Sequence, residues 1–314
     1  MSLLKDLGLF LYRIFRNRWV QLIFFLIAIF LIVIYIWTNA ANLLDTIKNL
    51  NLDFQALVIA ALTIAFTVFL GGVSWFAILK GFGQDFPLSL NLQVFFKSSL
   101  AKYIPGFVWQ YISRVHLVWE TGVSQAIVPW ILAWEFFQIL WTGIIVAIFT
   151  SLNYPLSIFG VVGQFGWIIR AVLLIGSVLA PLIFLQIYTK KFNSVSKSKL
   201  SINWLISSTL IVSLGWILLG VGLKFALDGF GYPNQFNLME STFVYASSVI
   251  TGILAIPVPN GIGIREGIMV FLLSDKIPTN LAVIISAAFR VSIAFFELVF
   301  GMISIVSRRP INRE

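Results

Sequence analysis

Residues 256–267 read Ile256-Pro257-Val258-Pro259-Asn260-Gly261-Ile262-Gly263-Ile264-Arg265-Glu266-Gly267, between the apolar runs Phe243 to Ile256 and Ile268 to Leu273. Two prolines and three glycines in this stretch cannot continue a helix, so backbone donors and acceptors lose their helical partners. In lipid such a break is tolerated only where protein buries it or a wet cavity reaches it, and transporters place substrate sites at such points. Arg265 and Glu266 open a predicted short helix through Leu273. A guanidinium and several free amide N–H groups then point the same way, the outline of an anion site. A cytoplasmic turn in which Arg265 meets lipid phosphate is the plainer reading of the same residues.

The surrounding chain is that of an integral membrane protein. Of its 314 residues 60% are hydrophobic and 11% charged, and the mean hydropathy is +0.98, far from the balance of a soluble domain. No polar segment is long enough to bury a core of its own, so a single polytopic membrane domain, residues 1–314, is expected, with any soluble catalytic domain on another chain. The net charge of +9 does not point to nucleic acid, because the basic residues fall in short loops between apolar spans, where positive charge sets topology. There are no cysteines, which excludes disulfides and thiolate metal sites. The single histidine, His116, is expected at a solvated surface.

Residues 1–19, with Lys5, Arg13, Arg16 and Arg18, form a cytoplasmic N-terminal segment before an uncleaved first span, Val20 to Trp37. Further spans are predicted at Phe54 to Leu79, Ala126 to Phe149, Trp167 to Ile187, Asn203 to Leu227 and Asn280 to Val306. Gly71-Gly72 marks a close helix contact or a kink. Residues 80–124 and 241–276 are each broken by Pro and Gly into pieces too short to span, and each is read as a re-entrant region. In the first, the break at Pro105-Gly106 is followed by an amphipathic stretch to Gly122. The inner segments hold fifteen lysines and arginines and the outer loops only Lys48 and Lys276, which puts both termini in the cytoplasm at a plasma, or inner, membrane. The expected fold is therefore all-α, with about six spanning helices and two oppositely oriented re-entrant hairpins.

A weak inverted repeat runs through this order. Pro105 to Arg114 matches Pro257 to Arg265, and Gly122 to Glu135 matches Ile277 to Arg290. Inverted-repeat carriers build a midplane site in this way.

Glu135 and Arg290 lie roughly 15 Å deep at the helical rise. A charge there costs at least ~2.5 to 3.5 kcal/mol on insertion scales, so each needs a partner or a wet cavity. Their matching places suggest a mutual pair, with Glu297, two turns after Arg290, as the competing partner. A purely structural ion pair satisfies the same cost. In the functional reading, Arg265, Arg290 and Arg114 offer positive charge to an anionic head group, and Glu135 and Glu297 balance it when empty. Glu266, Gly261 and Gly263 sit in the second break, and Lys102, Tyr103 and Trp109, with Gln110 and Tyr111, line the first. Arginine suits phosphate because its planar fork donates two parallel hydrogen bonds. Tryptophan and tyrosine are also common as interfacial anchors, and Arg170 and Lys224 are read as snorkelling at helix ends. No nucleotide-binding loop, metal cluster or nucleophile elbow is present, so no catalytic residue, metal or cofactor is expected.

Lys102-Tyr103-Ile104-Pro105-Gly106 with Trp109, Arg114, Gly122-Val123-Ser124 and Glu135, then Pro257-x-Pro259-x-Gly261-Ile262-Gly263-Ile264-Arg265-Glu266-Gly267, resemble the flippase-like membrane domain of lysylphosphatidylglycerol synthases. The resemblance runs from about Leu50 onward. It implies a lipid translocase fold with two re-entrant hairpins, and Arg114, Glu135, Arg265, Glu266 and Arg290 at the family's polar positions. The substrate it implies is an aminoacylated phospholipid or a polyprenyl-phosphate-linked sugar. The synthases carry a soluble transferase domain after the membrane part, whereas here Ser307 to Glu314 follow the last span, so aminoacyl transfer is not expected.

The function expected is that of a flippase moving an anionic phospholipid or polyprenyl-phosphate-linked head group between leaflets. No ATP site is visible; movement is then passive or coupled to an ion gradient, with Glu135 or Glu297 as proton carriers. The alternatives are a membrane-embedded lipid-linked glycosyl or aminoacyl transferase component, or a non-catalytic subunit serving a separate lipid-modifying enzyme.

Overall fold

The computed structural model describes residues 50–103, 109–124, 126–151, 200–255 and 261–307, with single positions between 34 and 48 and between 171 and 192. Among the described residues it is all-helical, without a strand. The elements are α1 (Phe54–Gly81), α2 (Leu88–Leu100) with a 3-10 turn (Ala101–Tyr103), α3 (Trp109–Glu120), α4 (Val128–Thr150), α5 (Ile202–Gly229), α6 (Leu238–Leu254), α7 (Ile264–Leu273) and α8 (Thr279–Val306). Four of them, α1, α4, α5 and α8, are long and apolar enough to cross a membrane. These match four of the six expected spans. The other two, at Val20 to Trp37 and Trp167 to Ile187, fall almost wholly outside the described residues, as do the prolines of both breaks.

The long helices are apolar on the outside. Phe54, Val58, Leu62 and Phe66 make an exposed stripe on α1, and Val291, Phe295, Leu298 and Met302 make one on α8. Four-residue and three-residue steps keep each set on one face. Such stripes suit lipid rather than water.

Inside, small and polar residues set the packing. Gln138 on α4 donates to Ser74 on α1 at 3.3 Å and accepts from Ser208 on α5 at 3.0 Å, and Trp216 donates to Thr142 at 3.1 Å. α1 runs unbroken through Gly71 and Gly72. A Cβ on Gly72 would meet Leu92 of α2 at 2.6 Å, so the pair serves close contact.

The described chain packs as two matching sets of four helices. α1 and α5, each of 28 residues, lie antiparallel with a backbone hydrogen bond at either end, Asp53 N–H to the Gly229 carbonyl at 2.9 Å and Ser201 N–H to the Gly81 carbonyl at 2.8 Å. Gly81 packs on Leu205 and Gly229 on Leu57, each leucine four residues past the partner's N-cap. Both helices end in Gly-Phe-Gly, Gly81-Phe82-Gly83 and Gly229-Phe230-Gly231, with φ of +72° and +89° at the final glycines, a conformation that favours glycine. The correspondence extends outward. Gly72 meets α2 where Gly220 meets α6, and Gly143 of α4 packs on Ile250 of α6 as Gly301 of α8 packs on Leu100 of α2. The helix pairings repeat in the same way, α2 with α3 and α8 in one set, α6 with α7 and α4 in the other.

A methyl group at Gly220 would lie 2.6 Å from the Thr242 Cα, where only backbone movement makes room, whereas one at Gly215 would find ordinary contact with Thr67 at 3.5 Å. Gly220→Ala is expected to cost ~1 to 3 kcal/mol by overpacking. Gly215→Ala is expected to hold or gain stability, by up to ~1 kcal/mol of helix propensity. Thermal unfolding of the two variants in detergent measures the difference.

Candidate functional site

Among the described residues, two assemblies of interior charge involve the expected site residues, while Glu240, also buried, pairs with Lys276 at 2.8 Å. In the first, the Arg114 side chain of α3 is fully buried, with its guanidinium 4.9 Å from the Trp75 ring centroid and 4.5 Å from that of Phe95. It donates to Glu135 Oε1, through Nε to Ser98 Oγ at 2.8 Å and through Nη2 to Ser99 Oγ at 3.3 Å. One side chain thereby ties α1, α2, α3 and α4. The ion pair and stacked rings together meet the cost of burying the charge.

This corrects one expectation: Glu135 pairs with Arg114 and not with Arg290. The cause is packing: α3 lies against both α2 and α4, so the nearest guanidinium to Glu135 comes from its own half of the chain. Tyr111 lies beside the same pair.

The second assembly gathers both breaks on α8. Lys102 and Tyr103, in the turn that leads into the first break, donate to the two carboxylate oxygens of Glu297. From the second break, Glu266 Oε1 lies 3.6 Å from Arg290 Nε, while Glu266 Oε2 accepts the Gly263 N–H at 2.7 Å. Glu297 is therefore held by Lys102 and Tyr103 rather than by Arg290. Arg290 and Glu297 stand seven residues apart, on one face of α8. Arg265 comes within the fields of Arg290, Glu266, Glu297 and Lys102 and within electrostatic reach of Tyr245 on α6.

Glycine makes this fold-back possible. Gly261 and Gly263 have φ of +63° and +86°, the left-handed region. A Cβ on Gly252 would lie 2.1 Å from Arg265 Cγ, and one on Gly261 would lie 2.8 Å from the Gly252 Cα. The second break therefore lies directly on α6 and seats the arginine stem. Its glycines act through the backbone. The predicted helix opened by Arg265 and Glu266 is present as α7, but the Gly263 N–H is taken by Glu266, so the first amide is not free for an anion while that carboxylate stays in place.

A cavity of about 190 Å³ lies between α1, α4 and α5. Its walls are mostly apolar, with Ser74, Trp75, Glu135 and Gln138 at a polar end and Tyr245 also at its edge. Glu135 Oε2 and Trp75 Nε1 are buried with no hydrogen-bond partner among the described residues. A carboxylate oxygen and an indole N–H suit a bridging hydroxyl or water, and the volume holds several waters at about 30 Å³ each. Tyr245 thus joins the cavity wall to the Arg265 cluster.

The remaining expected residues lie outside both assemblies. Trp109 opens α3 and is 46% exposed. His116 is a surface residue, 3.3 Å from Glu120. Lys224 does not snorkel freely but pairs with Asp228 at 2.6 Å, and Arg170 lies outside the described residues. Tyr245 escaped the sequence reading; only its place on the apolar run before the break, seven residues ahead of Gly252, signals it.

No family model matches the sequence, and no curated protein matches it.

Removing Arg114 leaves Glu135 buried without its counter-ion. Arg114→Leu is expected to cost about 3 to 5 kcal/mol, and the double variant Arg114→Leu/Glu135→Leu to recover most of that loss. Denaturation of the single and double variants in detergent tests the coupling.

Proposed function

We propose that this chain is a lipid translocase that moves an anionic phospholipid or polyprenyl-phosphate-linked head group between leaflets, in the manner of the flippase-like membrane domain of the lysylphosphatidylglycerol synthases that it resembles. In this reading it has six spans, two re-entrant hairpins entering from opposite faces, and both termini on the cytoplasmic side of the plasma membrane. The observation that carries it is the meeting of both breaks on one helix. Lys102 and Tyr103 from the first, and Arg265 and Glu266 from the second, converge on Glu297 and Arg290 of α8.

Three further features favour transport over a purely structural role. The matching helix sets, joined through the antiparallel α1 and α5, are the frame on which inverted-repeat carriers rock. The cavity beside Tyr245 offers polar groups between the long apolar helices. The lipid tails have an apolar exterior to follow, along the stripes of α1 and α8. The arginines hold the phosphate through paired N–H donors, while the hydrocarbon stays in the bilayer. The charge-matched pair in the other half, Arg114 with Glu135, keeps the first hairpin's helices together during that movement.

The test is head-group movement of fluorescent phosphatidylglycerol in sealed vesicles containing the purified chain. Arg265→Ala and Arg290→Ala are each expected to slow it by at least about tenfold, the loss of one charge-assisted contact. His116→Ala is expected to leave the rate unchanged. Equal rates for wild type and both arginine variants, or none above protein-free vesicles, contradict the proposal.

A further inference from the structure

The charge count around α8 goes further than the presence of an anion seat. Three cations face the cluster, Lys102, Arg265 and Arg290, and two carboxylates, Glu266 and Glu297. The undescribed parts of the breaks, 104–108 and 256–260, read Ile-Pro-Gly-Phe-Val and Ile-Pro-Val-Pro-Asn and carry no charge. Among the described residues the cluster therefore has one positive charge in excess.

That excess has an address. Glu297 is engaged by Lys102, and Glu266 lies against Arg290. Among the described residues no carboxylate comes within ion-pair distance of Arg265; the nearby Tyr245 hydroxyl is a neutral group. A guanidinium keeps its charge in any protein site and has five N–H donors in a fixed fork. Arg265 is thus a cation with donors to spare, beside a second arginine of like charge, at the N-terminus of α7.

We infer that the seat takes a phosphodiester with a single negative charge, bound on Arg265 with Glu266 and Glu297 remaining in place. The inference rests on the translocase reading and names its substrate class. One phosphodiester charge brings the cluster to neutrality. A phosphomonoester or diphosphate carries about two charges and leaves one negative charge uncompensated in a low-dielectric site. A cationic aminoacylated head group adds to the positive excess, and like-charge juxtaposition disfavours it. Between the two lipid classes the family resemblance implies, the geometry thus favours plain anionic phosphodiesters, including polyprenyl-phosphate-linked sugars, over aminoacylated lipids.

Binding of four diacyl lipids to the purified full chain at pH 8, followed by native mass spectrometry in competition, tests this. The probes are phosphatidylglycerol, with one negative charge, phosphatidic acid, nearly doubly charged at that pH, zwitterionic phosphatidylcholine, and cationic lysylphosphatidylglycerol. Phosphatidylglycerol is expected to bind at least about tenfold more tightly than the zwitterionic and cationic lipids and several-fold more tightly than phosphatidic acid. Glu297→Gln raises the excess to two and is expected to move the preference to phosphatidic acid. Arg265→Gln removes the excess and is expected to abolish the preference for phosphatidylglycerol over phosphatidylcholine. A wild-type preference for phosphatidic acid or for the cationic lipid overturns the inference and leaves a head-group site standing. No discrimination among the four lipids by the wild type removes the anion seat itself. The wild-type comparison decides the matter even where a variant fails to fold.

Discussion

A charge or a broken helix inside a lipid bilayer must find its partner within the protein, because the solvent offers none. That constraint organises the interior of this chain. Two groups of ionic side chains join helices there. Arg114 clasps four helices around Glu135, and Glu266, Arg290, Lys102 and Glu297 bring both interrupted segments onto α8. Where carbon packs on carbon, glycines set the distance, and the long outer stripes are left to the membrane.

The two halves solve the same problem differently. In each, a charge just after the break meets one in the following span, Arg114 with Glu135 and Glu266 with Arg290, so the polarity of the link is reversed between halves. The first link is buried between the Trp75 and Phe95 rings, with one Glu135 oxygen left over at the cavity. The second is partly exposed, looser at 3.6 Å, and carries Arg265 beside it without a carboxylate. Lys102 and Tyr103 then cross from one half to the other to meet Glu297.

Much of the frame was legible in the sequence, because span length and hydropathy follow from the thickness of the bilayer alone. The four described spans begin and end within about two residues of their expected limits, a margin usual for helix ends. Pro and Gly located the second break, and Glu266 as the first-turn acid of α7 was legible with it. The pairing of ions was not. Periodicity tells which residues share a face of one helix, but the partner of Glu135 depends on how α3 lies across α2 and α4, which no spacing along the chain encodes. The stronger sign of duplication, Gly-Phe-Gly at 81–83 and again at 229–231, carries little weight in the sequence alone, because three residues recur easily in a glycine-containing membrane protein. Only the reciprocal contacts of Gly81 with Leu205 and Gly229 with Leu57 give it meaning. Gly261 and Gly263 were expected as part of the site and act there through the backbone, at φ values that a side chain resists.

The most direct measurement is the position of lipid phosphate in an experimental structure of the chain in a bilayer nanodisc containing phosphatidylglycerol. Phosphate density within hydrogen-bonding distance of Arg265, between Lys102 and Arg290, is the expected result. A cluster closed upon itself, with Arg265 turned to a carboxylate and lipid confined to the outer stripes of α1 and α8, contradicts it.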